Sequence, residues 1–364
     1  MWREGARLAP AVAAARWRAT SPYKLLLSVT DRCTLRCRAC HAWVRAPRPE
    51  LSPAEIDRLL AGLPGLRWLD LTGGEPTART DILEVADAVA RHAPRLIFLH
   101  LATNGFEPAR AEAVVRRLVR GGGPAPVITV SLDGDQALHD RLRGAPGAFG
   151  RAVETARRLN ALPDVRVYVG TTLTPDNLGA LPATARALAA ELPALVPARW
   201  HVNAMQRSPH FFGNEGAPLP ERDALARALD EVRRLRGWPR DAFALAEWTW
   251  ERLYHRHART GAPPVPCQAL RASVFVDAAG DVYPCHLRDT LLGNVRAHDL
   301  RLADVLRSAP ALAEARAIGA EPCARCWTPC EAYHAILAHP ARAVARAVFE
   351  RALSARVPGR SPRT

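Results

Sequence analysis

Residues 28–43 read SVTDRCTLRCRACHAW and set Cys33, Cys37 and Cys40 in a CxxxCxxC array. Three thiols this close together, carried on a loop, converge on a common centre that is most simply a metal. A closed zinc site takes four ligands, normally in two pairs with two to four residues between members. No fourth cysteine stands at such an interval, so a zinc site would have to enlist His41. An iron–sulfur cluster suits the array better, because thiolates are its usual ligands. With only three of them, one iron of a four-iron cluster is left for something else.

The other cysteines, Cys267, Cys285, Cys323, Cys326 and Cys330, all follow residue 266. In a chain with no recognisable signal peptide, such clustering points to metal chemistry in a reducing cytoplasm and not to disulfides. Residues 273–276 and 282–283 alternate like two strands joined by the turn DAAGD, so Cys267 and Cys285 bracket a hairpin. Cys323, Cys326 and Cys330 follow as CxxCxxxC. Alone, a hairpin with CxxC would also suit a zinc ribbon.

The CxxxCxxC loop and the GGEP that follows at 73–76 together resemble the radical SAM enzymes. In that family the cysteine loop follows the first strand of a partial (β/α) barrel and holds a 4Fe-4S cluster. Its open iron chelates the amino and carboxylate groups of S-adenosylmethionine (SAM). The resemblance implies Cys33, Cys37 and Cys40 as ligands of that cluster, although the residue before the third cysteine, commonly aromatic in the family, is here Ala39. It also implies that Gly73, Gly74 and Glu75 attend the amino group of SAM, glycine being the residue that lets a backbone close on a ligand. LATNG brings Asn104 to the end of a later strand, and SLDG brings Ser131 and Asp133 to the end of the next. SLDG runs on into HDRLRG and a glycine–aromatic helix start at Phe149, a pattern similar to peptide-modifying and sulfatase-maturating members. By that likeness Ser131 and Asp133 are candidates for the SAM ribose and carboxylate, while His139 and Arg143 are expected to brace the loop.

The C-terminal cysteines resemble the family's SPASM or twitch extension: a cysteine, a hairpin containing Gly280, a second cysteine, LLGNVR, then CxxC. A full SPASM domain has seven cysteines and two auxiliary clusters. Five cysteines here imply one auxiliary 4Fe-4S cluster on Cys267, Cys285, Cys323 and Cys326, with Cys330 spare or an alternative ligand. In sulfatase-maturating relatives an aspartate after the second hairpin cysteine acts as base. His286 takes that place and is the candidate catalytic residue, since histidine can accept a proton near neutral pH. The replacement argues against assuming the formylglycine reaction.

Positioning these residues requires a scaffold, and the first part of the chain alternates strand with helix. Strands are expected at 25–29, 68–71, 97–102, 127–132, 165–171 and 199–204, with helical stretches near 53–62, 80–92, 107–119, 149–161 and 178–191. Six such repeats predict an α/β protein, a partial (β/α)6 barrel with helices over a parallel sheet and ligands at the C-terminal strand ends. The organisation expected is a lead-in at 1–23, the barrel at 24–205, a helical connector and linker at 206–266 broken near Gly237, a small hairpin-plus-helix domain at 267–338, and an Arg-rich helix and tail at 339–364. Residues 200–216, WHVNAMQRSPHFFGNEG, suit either a substrate-facing loop or one that buries Phe211 and Phe212.

A formal charge of +14 ordinarily raises the question of nucleic acid, but Lys24 is the sole lysine and the arginines are spread along the whole chain. No nucleic-acid module is recognisable, and no segment approaches the roughly 20 apolar residues of a membrane span. The resemblance implies a cytoplasmic oxidoreductase that cleaves SAM reductively, with an electron donor such as flavodoxin or ferredoxin. An auxiliary cluster favours net oxidation or cross-linking, and the peptide-modifying pattern points to a peptide side chain in natural-product maturation. Residues 1–23 leave no room for a leader-binding domain, so a separate leader-peptide-binding protein is expected. Oxidation or rearrangement of a small metabolite, such as a sugar or aminocyclitol, is the alternative; a non-enzymatic zinc-binding scaffold is the remote one.

Overall fold

A computed structural model describes residues 2–17, 22–46, 48–239, 242–320 and 326–354, so Cys323 lies outside the described residues. After helix α1 (Trp2–Trp17) come β1 (Lys24–Ser28), α2 (Pro53–Ala61), β2 (Trp68–Thr72), α3 (Ile82–His92), β3 (Phe98–Thr103), α4 (Pro108–Arg120), β4 (Val127–Ser131), α5 (Gln136–Arg143), α6 (Ala148–Asn160), β5 (Arg166–Leu173), α7 (Leu181–Glu191) and β6 (Trp200–Ala204). The six strands are parallel neighbours in the order β6-β5-β4-β3-β2-β1. The expected repeats are therefore present, and α5 is an additional helix between β4 and α6.

Strand periodicity explains the layering, because alternate side chains point to opposite faces. Leu25, Leu27, Leu69, Leu71, Leu99, Leu101, Ile128 and Val130 lie buried in the same core as Val85, Val89, Val114 and Leu118 of α3 and α4. The intervening strand positions are often polar, among them Lys24, Ser28, Asp70, His100, Thr129 and Ser131. An interior with that character suits a site better than a packed plug does. Each fully buried leucine contributes about 1.5–3 kcal/mol, so the outer layer holds the barrel while the inner face is left free for polar work.

Helices α8 (Arg222–Arg236) and α9 (Ala242–Thr260) follow, on either side of the expected break at Gly237. The hairpin is also where expected, as β7 (Ser273–Val276) and β8 (Asp281–Tyr283), with a short β9 (Gly293–Asn294) antiparallel to β8. Its position was not legible in the sequence. Strand β7 pairs parallel with β1, Leu25 opposite Val274, so the hairpin prolongs the barrel sheet beyond β1 to the order β2-β1-β7-β8-β9. With a partner on each side, β1 is an interior strand, which accounts for the burial of all five of its residues.

Helices α10 (Leu302–Leu306), α11 (Ala309–Ala320), α12 (Pro329–Ala338) and α13 (Pro340–Ser354) complete the described chain. Helix α12 reaches the foot of the barrel interior. Lys24 Nζ donates to the Cys330 carbonyl at 2.9 Å and pairs with Asp70 Oδ2 at 2.9 Å. Ser273 Oγ donates to Glu331 Oε2 at 2.6 Å, and Tyr23 Oη meets His334 Nδ1 at 2.9 Å.

Candidate active site

The cysteine loop is irregular, and three other segments hold it. Gly74 N donates to the Thr30 carbonyl at 2.8 Å and Glu75 N to the Arg32 carbonyl at 2.7 Å, a ladder of two bonds between GGEP and the run into Cys33. A Cβ on Gly74 would lie 2.3 Å from Arg32 O, and one on Gly73 would lie 2.5 Å from Thr30 O. The glycines therefore let the cysteine loop, and not only a ligand, approach this strand end. On another side, Arg36 N donates to the Arg143 carbonyl (3.1 Å) and Arg38 N to that of Leu142 (2.9 Å), at the C-terminus of α5. Gly144, left-handed at φ +66°, ends α5 against Arg36 O. From a third side, His41 N donates to Phe212 O at 2.7 Å and Asn214 Nδ2 to Ala39 O at 2.9 Å.

These contacts place Cys33, Cys37 and Cys40 on one wall of a cavity of about 380 Å³. Gly73, Gly74, Glu75, Asn104, Ser131, Asp133 and His286 line the same space. They reach the site from the C-terminal ends of three strands, β2, β3 and β4, and His286 comes from the C-terminal hairpin. Cys33, Cys37 and Cys40 are free thiols. Burial pushes the Cys33 thiol up to about 12 and raises Cys40 as well, so an adjacent cation is what would hold these sulfurs as thiolates at neutral pH. Three soft sulfurs with ligand-sized space beside them fit an iron–sulfur cluster that carries one further ligand.

Glu75 lines the cavity, but its carboxylate is turned into the protein. Oε1 accepts from Thr77 N (3.1 Å), Thr77 Oγ1 (2.8 Å) and Thr103 Oγ1 (2.8 Å), and Oε2 accepts from Asn104 N (2.6 Å). It ties GGEP to the end of β3, where Asn104 Nδ2 turns back to Thr34 Oγ1 at 3.0 Å and Cys33 Sγ at 3.9 Å. Asp133 pairs with Arg143 Nη2 at 2.7 Å and accepts from Thr172 N at 2.9 Å. His139, fully buried, accepts from Asp133 N through Nδ1 at 3.0 Å, so it braces as expected. Arg143 does more than brace: it lines the cavity and donates to Cys37 Sγ at 3.8 Å.

Phe211 and Phe212 combine the two roles held open for them. Both line the cavity, and Phe211 also packs edge-on to Phe275 of β7 with ring centres 5.4 Å apart. Ser208 Oγ donates to the His286 carbonyl at 2.7 Å, and His210 stacks on Tyr283 at 4.3 Å, so the loop after β6 clasps the hairpin. Burial first, then Lys24 and His210, lower the His286 pKa to about 3, which leaves a neutral imidazole at pH 7 with Nδ1 unpartnered. Thr172, Thr174 and Gln206 also line the cavity. The first two were missed in the sequence, where TTLT at the end of a strand was their signal.

The C-terminal cysteines only partly converge within the described residues. Cys267 and Cys326 line a second cavity with Trp327, Thr328 and Glu331. Burial above all, then Glu331 and Cys267, raise the Cys285 thiol, so Cys285 lies within electrostatic reach of Cys267. Trp250 Nε1 donates to Trp327 O (2.8 Å) and Trp327 Nε1 to Trp250 O (3.0 Å), fixing the residue after Cys326 to α9. Cys330 has a different setting, beside Lys24, Asp70 and Glu331, where burial lifts its thiol to about 11.

Comparison with known proteins agrees with this arrangement. The family model for the radical SAM superfamily matches residues 27–188, and that for an iron-sulfur cluster-binding domain, SPASM, matches 267–327. The chain is 28% identical over 329 residues to the PqqA peptide cyclase of Rhodopseudomonas palustris, covering 84% of this chain and 79% of that protein. It is 30% identical over 310 residues to the PqqA peptide cyclase of Xanthomonas axonopodis pv. citri, covering 82% and 77%. Among solved structures, Streptococcus suis SuiB bound to S-adenosylmethionine shares the fold at a TM-score of 0.59 and 17% identity, over 86% of this chain and 72% of that one.

Proposed function

Because the chain belongs to the radical SAM superfamily and carries its SPASM iron–sulfur domain, we propose that it oxidises or cross-links a peptide side chain in the maturation of a ribosomally made natural product. The observation that carries this reading is the single cavity to which Cys33, Cys37 and Cys40, the strand-end residues and His286 of the hairpin all contribute. Its relatives in Rhodopseudomonas and Xanthomonas are named as cyclases of a peptide, which supports a peptide as substrate class.

Cys33, Cys37 and Cys40 would hold the first 4Fe-4S cluster, and Cys267, Cys285, Cys323 and Cys326 the auxiliary one. When bound, the first cluster and SAM supply a 5'-deoxyadenosyl radical by one-electron reductive cleavage, and that radical takes a hydrogen atom from substrate. The chain's own residues orient and exclude. The Gly73–Gly74 backbone, Asn104, Ser131 and Asp133 form the rim on which SAM is oriented, with Glu75 holding Gly74 and Asn104 in register. Phe211 and Phe212 cover the substrate side and keep water out. His286, neutral at pH 7, lines the cavity and would hydrogen-bond substrate, and it would take up the proton released on oxidation once bound substrate had raised its lowered pKa. The electron for SAM cleavage comes from a donor of the flavodoxin or ferredoxin class.

Anaerobically prepared, reduced protein should bind about eight irons per chain, by the stoichiometry of two four-iron clusters, and release 5'-deoxyadenosine from SAM. Cys37→Ala should abolish that release. Cys285→Ala should spare it and remove turnover of the peptide substrate. Equal loss of cleavage in the two variants would refute separate roles for the two cysteine groups.

A further inference from the structure

Two side-chain N–H groups aim at sulfurs of the cysteine loop, and each is fixed by a second bond that the loop itself does not supply. Arg143 Nη1 lies 3.8 Å from Cys37 Sγ while Nη2 is held by Asp133 Oδ2 at 2.7 Å. The Arg143 side chain is 12% exposed and that of Asp133 is 9%, so the pair is shielded from water. Asn104 Nδ2 lies 3.9 Å from Cys33 Sγ, and its amide is oriented because Oδ1 accepts from Phe106 N at 2.9 Å. Among the described residues no side chain donates to Cys40 Sγ. The backbone of the same segment is bonded to the loop through Arg36 N and Arg38 N, which fixes the Arg143 backbone beside the loop, while Asp133 holds the guanidinium toward Cys37.

We propose that Arg143 and Asn104 are positioning residues that set the reduction potential of the cluster held by Cys33, Cys37 and Cys40, by donating hydrogen bonds to the sulfurs of Cys37 and Cys33. The inference rests on the ligand assignment made above. Its physical basis is that hydrogen bonds to cluster sulfur are one of the protein's means of tuning potential. Adding an electron increases the negative charge on the sulfurs, so a donor stabilises the reduced state more than the oxidised one. A hydrogen bond that strengthens as the sulfur gains charge on reduction is expected to change the reduced fraction by about tenfold. For a one-electron couple, tenfold corresponds to about 59 mV. The site is buried, which strengthens such interactions compared with water. The unequal donors also make the three sulfurs inequivalent.

The test is an EPR-monitored redox titration of the anaerobic, cluster-loaded full chain without SAM, the relevant signal being the one lost in Cys37→Ala. Arg143→Met and Asn104→Asp should each lower the reduced fraction at fixed ambient potential by about tenfold. Asn104→Asp keeps the acceptor for Phe106 N and removes the donor but adds a negative charge, so Asn104→Ala, which removes the donor without adding charge, should show the same loss. Arg143→Lys, which keeps charge and a donor, should stay within about threefold of the parent. The double variant Arg143→Met with Asp133→Asn removes both charges of the pair and should retain the shift, which separates donation from net charge. Iron content of each variant is measured alongside, so a loss of assembly is not mistaken for a change of potential. Changes of less than twofold in the variants that assemble would overturn the inference and leave the ligand assignment standing. Absence of a Cys37-dependent signal in the parent would overturn the assignment itself.

Discussion

Lys24 shows how far one residue's setting can depart from its type. It is 2% exposed, paired with Asp70 and bonded to the Cys330 carbonyl. The Asp70 carboxylate is held well below its usual range by the opposing Lys24 charge, with His100 assisting, against a burial effect that works in the other direction. Removing one partner of a buried ion pair costs about 3–5 kcal/mol, so Lys24→Met should lower the anaerobic melting temperature markedly, whereas Lys24→Met with Asp70→Leu should recover part of the loss. The depressed Asp70 gives stability that is present above the ordinary aspartate pKa of about 4 and is lost as pH falls below it. That acid-side loss should be weaker in the double variant, as read from melts between about pH 3 and 6. Gly74 makes a second residue-scale prediction. A Cβ 2.3 Å from Arg32 O has backbone in its way, so Gly74→Ala should lower iron incorporation at the first cluster with little change in helical circular dichroism. For His286, Gln would keep hydrogen bonding without proton uptake. His286→Gln should still release 5'-deoxyadenosine but form less peptide product, and unchanged product formation would exclude it as the base.

At the scale of elements, α8 and α9 meet through a buried charge cluster. Arg236 reaches Glu247 at 3.1 Å and Glu251 at 2.8 Å, and Glu247 also meets His201 of β6. Burial raises the Glu251 pKa from 4.5 to about 7, with Arg236 opposing and Glu247 reinforcing the shift. A carboxyl raised in this way binds a proton in the folded chain that the unfolded chain has released. Between about pH 4.5 and 7, stability therefore falls as pH rises. Glu251→Gln should flatten that part of the profile in thermal melts, and an unaltered slope would exclude Glu251 as its source. The segment from β4 to α6 is the other element with a clear task. SLDG places Asp133, α5 carries His139 and Arg143 back to it, and Gly144 turns the chain against the cysteine loop. The run from SLDG to HDRLRG is thus a clamp between two sides of the site.

In the whole molecule the barrel and the C-terminal region share one sheet, because β7 pairs with β1. A chain ended after residue 266 would expose the edge of β1, leave Lys24 without the Cys330 carbonyl and lose the His286 wall of the cavity. We expect such a truncation to lack cooperative unfolding and to be cut rapidly by protease inside the barrel; a stable, iron-binding fragment would contradict this. The six βα repeats, the hairpin and the first cysteine array were legible because each is local: apolar periodicity marks strands and helices within a few residues, and CxxxCxxC brings three thiols together by spacing alone. The gathering of Gly74, Asn104, Ser131 and Asp133 on one rim also followed, since parallel strands present their C-terminal ends together. Tertiary structure alone decided that Glu75 faces inward, that Arg143 reaches a cysteine sulfur, that the single lysine is buried, and that the hairpin extends the barrel. Each of these depends on contacts between residues far apart in the chain, whose geometry is set by packing and hydrogen bonding and leaves no periodic mark in the sequence.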